Sequence, residues 1–457
     1  MAEPKYSSLR LLAFSGPSIP IAALALPLAV YLPNFYAGPM GLGLATVGTI
    51  FMLARIWDVV IDPVLGQLSD RFPSRWGRRR QWLVVAVPIL MISSWYIFLP
   101  TAPVSSEYLL AGLFGLYLGY TMVLLAHMSW GAELTDDYHE RSRIQAWREA
   151  LSIIGVVLVL TLPVIIEKIG GERVEAARVG VMGWFLIILV PLTIFVAVRS
   201  VGERKLRPQA HLPFRQAIKA LVQNEALRRV VIADLASGFS ASALGAMFIY
   251  EATYVWQVGQ KASLLLLLYF FIGIAFIPVA LIVSRRFGKH RTMIAASLFN
   301  VIFVPSLFLI PPGNFPVALG VMLFLGMNVA IPNVLYRSIM ADIGDYDEVH
   351  SGQRRTGLFY ALLTLTAKVG SALAIGVTFW ALDLIGFDPK PGMQNSPEVL
   401  SHVNMIFVAV PFCANLFVAY MMWGFPIGPE EQIELRRILD ERHLVEEAEN
   451  TEAPPIG

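Results

Sequence analysis

Long apolar runs alternate with short polar segments along almost the whole chain. Six runs lie in the first 200 residues, a polar stretch follows, and six more runs lie beyond it. The runs cover residues 12–32, 42–66, 82–100, 107–132, 146–167, 178–198, 229–256, 262–284, 292–311, 315–341, 356–384 and 402–425. A helix needs about 20 apolar residues to cross roughly 30 Å of hydrocarbon. The pattern therefore predicts an all-α membrane protein with twelve transmembrane helices.

The composition supports a location in lipid. Hydrophobic residues make up 56% of the 457 residues and charged residues only 15%, against about 25% charged residues in soluble domains. The net charge of +2 gives no reason to expect a nucleic-acid partner. One cysteine, Cys413, excludes an intrachain disulfide and a cysteine-based zinc site. We expect the lipid bilayer as a partner, no cofactor, and a monomer.

Loop charge predicts the orientation, because Lys and Arg accumulate on the cytoplasmic side of a membrane. The loops after the second, fourth, sixth, eighth and tenth runs are basic. They include Arg71, Arg78, Arg79, Arg80, Arg141, Arg143, Arg204, Lys205, Arg285, Arg286, Lys289, Arg291, Arg354 and Arg355. Both termini are then cytoplasmic in a multi-pass protein of the plasma (inner) membrane. No cleavage site follows a short apolar region, so we expect the N-terminal leader to stay attached.

A glycine-containing basic segment occurs at the same place in both halves. It covers 66–80 after the second run and 284–291 after the eighth. This duplication resembles the signature loop of the major facilitator superfamily, whose two six-helix bundles rock around a central cavity. We therefore predict two pseudo-symmetric six-helix bundles in the major facilitator fold. The predicted parts are an N-terminal bundle at 1–200, a cytoplasmic linker at 201–228, a C-terminal bundle at 229–427 and a cytoplasmic tail at 428–457.

The second run contains charges that its membrane location makes costly. Asp58 and Asp62 lie about 40° apart on one helix face, and Arg55 is close to that face. Two carboxylates at membrane depth need a positive partner, which is a bound cation, a shared proton or a basic side chain. A hard cation such as Na⁺ selects oxygen ligands. The pattern predicts a cation site, and a structural ion pair with Arg55 is the alternative.

Further landmarks fall in a recognisable order along the chain. They are Trp57-Asp58, Asp62-Pro63, residues 75–80, Tyr120-Thr121, residues 132–137, Arg148, residues 341–348, residues 352–360 and Lys368. Together they closely resemble the glycoside-pentoside-hexuronide:cation symporters, the family of the melibiose carrier. The resemblance covers essentially all twelve helices. It implies a transporter, not an enzyme, that imports a small organic solute together with a monovalent cation.

The resemblance also implies roles for individual residues. Asp58, Asp62 and Thr121 would bind the coupling cation, Lys368 and Arg55 would balance the charge, and Arg148 would lie near the substrate. A lysine that faces two aspartates can hold the site while the cation is absent.

Three departures from the family pattern leave alternatives open. Pro17 and Leu124 stand where the melibiose carrier has sugar-binding aspartates, and Ile61 replaces an asparagine that often accompanies the two aspartates. The substrate is then a glycoside, a uronide or a related sugar acid, or alternatively an amphipathic solute such as a lysolipid or organic anion. The coupling ion is Na⁺ or H⁺. A membrane-embedded enzyme is a minor alternative, because the histidines offer no paired-ligand spacing.

Two further sets of residues are candidates for the substrate cavity and for gates. The cavity candidates are His127, Trp130, Asp234, Asn333 and Tyr336, in addition to Arg148. The gate candidates are Asp70, Arg71, Glu140, Arg141, Asp345 and Arg354. The acidic ones, together with Asp347, can pair with these arginines and Arg355, and such pairs would hold the outward-facing state and break on inward opening. Aromatic and amide side chains also stabilise helix contacts, and exposed ion pairs contribute only about 0–1 kcal/mol each. Core packing and solvated loop charge are therefore the alternatives for these residues.

Overall fold

The structure is a computed structural model that describes residues 6–72, 74, 77–135, 137–169, 174–203, 220–352, 355–390 and 392–452. Within these residues, twelve helical segments are long and apolar enough to cross a membrane. These are spans 1 to 12: Ser8–Ala37, Leu44–Ser69, Arg80–Phe98, Ser106–Glu133, Glu140–Ile169, Glu175–Ser200, Glu225–Val255, Gly259–Phe287, Lys289–Leu309, Phe315–Ser351, Thr356–Leu384 and Pro397–Met422. Each predicted apolar run falls on one span, which confirms the predicted fold class.

Eight spans contain one uninterrupted α-helix. Their helices are Leu44–Arg71, Arg80–Phe98, Ser106–Glu133, Tyr138–Ile169, Val174–Ser200, Ala262–Phe287, Thr356–Leu384 and Pro397–Met422. A 3₁₀ turn at Gly259–Lys261 leads into span 8, and a further helix, Pro429–Glu452, follows span 12. The predicted tail thus contains an ordered helix over most of its length.

The other four spans either change helix type along their length or, in span 10, are divided into two α-helices by a turn. Span 1 is divided into Ser8–Ser15, Ser18–Leu26, a π-helical turn at Pro27–Tyr31 and Leu32–Ala37. Span 7 is Glu225–Tyr250 with a π-helical turn at Glu251–Val255, span 9 is Lys289–Phe303 with a 3₁₀ turn at Val304–Leu309, and span 10 is Phe315–Gly326 and Ile331–Ser351. Proline removes a backbone donor and clashes with the preceding turn. The prolines at positions 17, 20, 27 and 33 therefore account for the interruptions of span 1.

The packing between the two halves has pseudo-two-fold symmetry. Span 2 packs against span 11, and span 5 packs against span 8. Span 8 is the second-half counterpart of span 2, and span 5 is the first-half counterpart of span 11. Each of the two contacts is therefore the symmetry counterpart of the other. Span 7 also packs on the π-helical turn of span 1. The boundaries of bundles, linker and tail stay predictions, and residues 204–219 of the linker lie outside the described residues.

The side of the molecule opposite the chain ends, called the far side below, holds several contacts between the halves. Tyr31 donates to the Ser263 hydroxyl over 3.0 Å, and Asn34 donates to the backbone carbonyl of Ala246 over 2.9 Å. Gly48 allows close approach, because a Cβ there would lie 2.8 Å from the Cβ of Phe379. Spans 1 and 2 are thus tied to spans 7, 8 and 11 on this side.

A buried ion pair strengthens the far-side contact. Arg178 lies 3.1 Å from Glu167, and both side chains are almost fully buried. Arg178 also donates to the carbonyl of Gly259 over 3.3 Å, and Glu167 accepts from the backbone N–H of Ser263 over 3.2 Å. The pair therefore connects spans 5 and 6 to the beginning of span 8.

The opposite side, called the terminal side because spans 1 and 12 begin and end there, repeats one ion-pair pattern in each half. In the first half, Arg79 of the basic segment pairs with Glu133 at the end of span 4 over 2.7 Å. In the second half, Lys289 pairs with Asp342 near the end of span 10 over 2.6 Å. The two basic segments that the sequence repeats therefore have equivalent partners.

Candidate functional site

The carboxylates of span 2 lie in a network of charged and polar side chains. Asp58 is fully buried, and its Oδ1 accepts a hydrogen bond from the Thr121 hydroxyl over 2.7 Å. Its Oδ2 lies 3.3 Å from the Arg55 guanidinium and 3.0 Å from the Lys368 ammonium. Asp58 thus has partners from its own helix, from span 4 and from span 11.

Lys368 lies between the two carboxylates. Its Nζ is 2.6 Å from Oδ2 of Asp62, in addition to its contact with Asp58. Oδ1 of Asp62 is buried without a hydrogen-bond partner among the described residues. The Asp62 side chain is 24% exposed, whereas that of Asp58 is 0% exposed. Asp62 is therefore the member of the pair that solvent reaches first.

Two negative and two positive side chains make this network formally neutral, as buried charges require. The guanidinium of Arg55 also lies over the ring of Tyr117, 4.9 Å from its centroid. Trp57 stacks on Phe114 at 5.2 Å and fixes span 2 against span 4. No group of three or more His, Cys, Asp or Glu side chains that could hold a metal occurs within the described ranges.

All five residues predicted for the cation site are thus brought together. The two aspartates meet because one helical turn separates them, and span 11 contributes Lys368 from the other half of the chain. The six substrate candidates, in contrast, divide between two places.

His127, Trp130 and Arg148 belong to the first place, in the N-terminal half. The His127 ring stacks on Phe14 with centroids 4.8 Å apart, and Trp130 meets the edge of Phe14 at 5.0 Å. Both His127 and Trp130 are fully buried. Arg148 donates to Gln145 over 2.8 Å. Arg148 of span 5 also passes close to span 4, because a Cβ at Gly131 would lie 3.6 Å from its Cδ. Nδ1 of His127, Nε1 of Trp130 and Nε of Arg148 are buried without a hydrogen-bond partner among the described residues.

Asp234, Asn333 and Tyr336 belong to the second place, a cavity of about 360 Å³ in the C-terminal half. All six spans of that half contribute to its lining, and Val30 adds a contact from span 1. Asp234 accepts a hydrogen bond from the Thr366 hydroxyl over 2.8 Å, and Tyr336 shares one with Ser237 over 2.8 Å. These polar groups lie together at one end of the cavity.

The cavity changes character along its length. It follows span 7 from Asp234 to Phe248, a distance of fourteen residues or about 21 Å at about 1.5 Å per residue. Asn300 and Asn415 lie between these ends and are hydrogen-bonded to each other over 3.0 Å. The far-side end is apolar and includes Phe248, Leu266, Val304, Leu307, Met322, Leu325 and Phe407. The cavity is thus polar at one end and apolar at the other.

Comparison with known proteins decides the family. The model of the family described as MFS/sugar transport protein matches residues 13–429, which is nearly the whole described chain. The chain belongs to this family.

Individual members are similar over most of their length. The glucuronide carrier protein homolog of Escherichia coli K12 is 25% identical over 428 residues, which are 92% of this chain and 92% of that protein. The isoprimeverose transporter of Lactiplantibacillus pentosus is 24% identical, covering 92% of this chain and 88% of that protein. The resemblance to sugar/cation symporters is therefore confirmed, and the protein is a transporter rather than an enzyme.

Solved structures show the same fold. The D-xylose-proton symporter aligns with a TM-score of 0.66 at 18% identity, covering 92% of this chain and 97% of that one. The nucleoside transporter NupG aligns with a TM-score of 0.66 at 13% identity, covering 91% of this chain and 99% of that one. The two-bundle architecture of the major facilitator fold is thereby confirmed.

In this MFS/sugar transport protein, span 11 touches both the charged network and the cavity. Thr366 contacts Asp234, and Lys368 contacts Asp58 and Asp62. Residues 366 and 368 point to opposite faces, because two residues correspond to about 200° of helix rotation. Ala367, between them, lines the cavity. One turn of span 11 thus connects the two candidate sites.

The predicted gate residues form a different set of pairs from the expected one. Glu140 pairs with Arg143 over 2.7 Å instead of Arg141, because residues three apart share a helix face and adjacent residues do not. Arg141 instead donates to the carbonyl of Thr135 over 3.2 Å. Asp345 lies 3.9 Å from Arg436 of the tail helix.

The remaining gate candidates give less information. Arg71 is exposed at the end of its helix. Arg354 and the side chain of Asp70 lie outside the described residues. Asp347, which the gate hypothesis also considered, pairs with Arg355 over 2.7 Å.

Several residues of structural importance were not predicted. Thr366 is one, and its only sequence signal is its position two residues before Lys368. Glu167 and Arg178 are others, since the sequence assigns Arg178 only to a sparsely charged loop region. Asn300 and Asn415 are further examples. Their sequence signal is that each is a polar residue within an apolar run.

Proposed function

We propose that this protein is a cation-coupled secondary symporter that imports a small sugar-type solute by alternating access. The single observation that carries the proposal is the position of Lys368. Its ammonium lies 2.6 Å and 3.0 Å from two carboxylates that belong to the other half of the chain. A positive group therefore occupies the place between Asp58 and Asp62, and it links the two halves directly.

The coupling step exchanges one positive charge for another. When Na⁺ or H⁺ binds at Asp58 and Asp62, with the Thr121 hydroxyl as a further oxygen ligand, it neutralises the charge that Lys368 balances now. The ammonium then leaves the carboxylates, because the coupling cation is a third positive charge beside Arg55 and Lys368, and two carboxylates balance only two. Span 11 is released from span 2, while Arg55 retains its contact with Asp58.

The same event acts on the substrate cavity. Span 11 also holds Asp234 through Thr366, so a movement of Lys368 changes the polar end of the cavity. The cation and the solute thus affect each other's affinity by the same factor, as linkage requires. We assign solute binding to Asp234, Asn333 and Tyr336, and a core-packing role to His127, Trp130 and Arg148.

The terminal side is the cytoplasmic side in this proposal, because the basic loops lie there. Both termini are then cytoplasmic, and the protein is a multi-pass monomer of the inner membrane. The far-side contacts between the halves then close the path to the periplasm. Lys368 occupies the cation site, so we assign this arrangement to the stage after the cation has left for the cytoplasm.

The relatives support a sugar-type solute by their names, which include a glucuronide carrier homolog, an isoprimeverose transporter and a putative glycoside/cation symporter. On this basis the solute is a glycoside, a uronide or a related sugar acid. The alternative of an amphipathic solute gains support from the cavity, which is polar at one end and apolar at the other.

Uptake into proteoliposomes tests the proposal, with Na⁺ and pH gradients imposed separately. We expect Asp58→Asn and Asp62→Asn to abolish accumulation driven by the effective gradient. Exchange of labelled for unlabelled solute without a gradient should persist in Asp62→Asn. Asp383→Asn, on an exposed position of span 11, is the matched control and should behave as the wild type. Accumulation by both aspartate variants at the wild-type level would refute the coupling proposal.

A further inference from the structure

We propose that the cavity of the C-terminal half binds a glycoside with an uncharged sugar and an apolar aglycone. The sugar lies at the Asp234 end and the aglycone extends toward Phe248. This inference rests on the proposed function, because it names the class of solute that the symporter carries.

The size and shape of the cavity fit such a molecule. Its volume of about 360 Å³ lies at the lower end of the range for ligand pockets. Its length along span 7 is about 21 Å, so the cavity is long and narrow. A free monosaccharide would fill only part of it, whereas a glycoside with an extended aglycone reaches both ends.

The two ends demand different chemistry from the ligand. A free sugar exposes hydroxyl groups in every direction, and each hydroxyl buried without a hydrogen-bond partner costs free energy. The far-side end contains aromatic and aliphatic side chains such as Phe248, Leu307 and Phe407. Only an apolar group is stabilised there, so the occupant is amphipathic.

The polar end favours a sugar without charge. Asp234 is the one charged residue among those that line the cavity, and a carboxylate accepts hydrogen bonds from sugar hydroxyls. It repels the carboxylate of a uronide in the same place. Ser237, Asn333 and Tyr336 add neutral donors and acceptors beside it. Lys368 points to the other face of span 11. Arg337, next to Tyr336 in span 10, is close enough to Asp234 to attract its carboxylate but is not among the residues that line the cavity.

Equilibrium binding in lipid nanodiscs tests the inference, since alkyl glycoside detergents would compete for the cavity. The probes are methyl and 4-nitrophenyl β-D-glucoside, galactoside and xyloside, with 4-nitrophenyl β-D-glucuronide as the acidic counterpart. We expect the 4-nitrophenyl member of at least one neutral pair to bind about 10-fold more tightly than its methyl partner, because it buries an aromatic ring. The glucuronide should bind more weakly than that neutral counterpart.

A filling substitution locates the aglycone. Leu244→Trp, at the apolar part of the lining, should remove the advantage of the 4-nitrophenyl compound and leave methyl-glycoside affinity nearly unchanged. Leu281→Trp, at an exposed position of span 8 that does not line the cavity, should preserve the advantage. A Leu244→Trp variant that keeps the full advantage would overturn the inference.

The experiment also separates this inference from the proposed function. Suppose methyl glycosides accumulate with a cation gradient, but the 4-nitrophenyl compounds bind no better. The symport proposal then stands and the aglycone assignment is wrong. If no glycoside of either kind binds or is accumulated, the sugar-type function fails and this inference fails with it.

Discussion

Asp58 in span 2 and Asp234 in span 7 are both buried carboxylates, one in each half, and each accepts a hydrogen bond from a threonine hydroxyl. Among the described residues, only Asp58 also forms ion pairs. Asp58 contacts the guanidinium of Arg55 and the ammonium of Lys368. Asp234 accepts a hydrogen bond from the hydroxyl of Thr366. A carboxylate that positive groups surround is suited to exchange one cation for another. A carboxylate whose partner is a hydroxyl is suited to bind the hydroxyl groups of a solute.

The comparison also explains why coupling between the sites requires no long pathway. Thr366, which contacts Asp234, and Lys368, which contacts Asp58, lie on opposite faces of the same turn of span 11. Loss of the Lys368 contacts therefore directly affects the hydrogen bond between Thr366 and Asp234. Four substitutions test this division of roles, beginning with the largest expected effect.

Asp58→Asn should have the largest effect. It leaves Arg55 and Lys368 with one carboxylate between them, and removal of one member of a buried ion pair costs about 3–5 kcal/mol. We expect the midpoint of thermal unfolding in nanodiscs to fall by about 5 °C, with complete loss of cation-driven uptake. A variant with wild-type stability would show that the network is less coupled than the distances indicate.

Asp62→Asn, alone and combined with Lys368→Gln, separates stability from coupling. The single variant leaves an excess positive charge and should lose stability. The double variant restores neutrality and should return to within about 1 kcal/mol of the wild type, since a buried pair is often replaceable. It should still fail to concentrate solute in proteoliposomes. Accumulation by the double variant would place the cation site elsewhere.

Asp234→Asn should weaken solute affinity and leave the cation site intact. A hydrogen bond to a charged group contributes about 1.5–3 kcal/mol, so the dissociation constant of a bound glycoside should rise about 10- to 100-fold. The cation concentration that gives half of the maximal effect should not change. An unchanged glycoside affinity would exclude Asp234 from the substrate site.

Thr366→Val should have the smallest effect, and on both sites. A neutral hydrogen bond contributes about 1 kcal/mol, which corresponds to about a fivefold weaker glycoside affinity and a reduced cation effect on it. Thr364→Val is the matched control, because Thr364 is exposed on the same helix and bonds only to the carbonyl of Tyr360. Equal effects of the two substitutions would contradict a special role for Thr366.

The sequence was sufficient for the features that depend on local spacing. The twelve spans follow from the length of the apolar runs, and the convergence of Asp58 and Asp62 follows from one turn of a helix. Lys368 is different, because 306 residues separate it from Asp62. Its predicted place near the aspartates came from family resemblance and not from any local pattern.

The features that depend on helix rotation and packing could not be predicted. Seven spans contribute to the cavity, so no single segment of sequence indicates it. His127 and Asp234 are both polar residues in apolar runs, yet one packs against Phe14 and the other lines the cavity. Glu140 pairs with Arg143 and not with its sequence neighbour Arg141, because helix rotation decides which residues share a face. The gating role of Glu140 stays a prediction.

The central claim is that the Lys368 ammonium occupies the place of the coupling cation. Its most direct test is the concentration of Na⁺, or of H⁺, that produces half of the cation effect on solute affinity in nanodiscs. Lys368→Gln removes the competing charge, so this concentration should fall about 10-fold or more, while Lys289→Gln, whose lysine pairs with Asp342, should leave it unchanged. An unchanged or increased concentration for Lys368→Gln would contradict the claim.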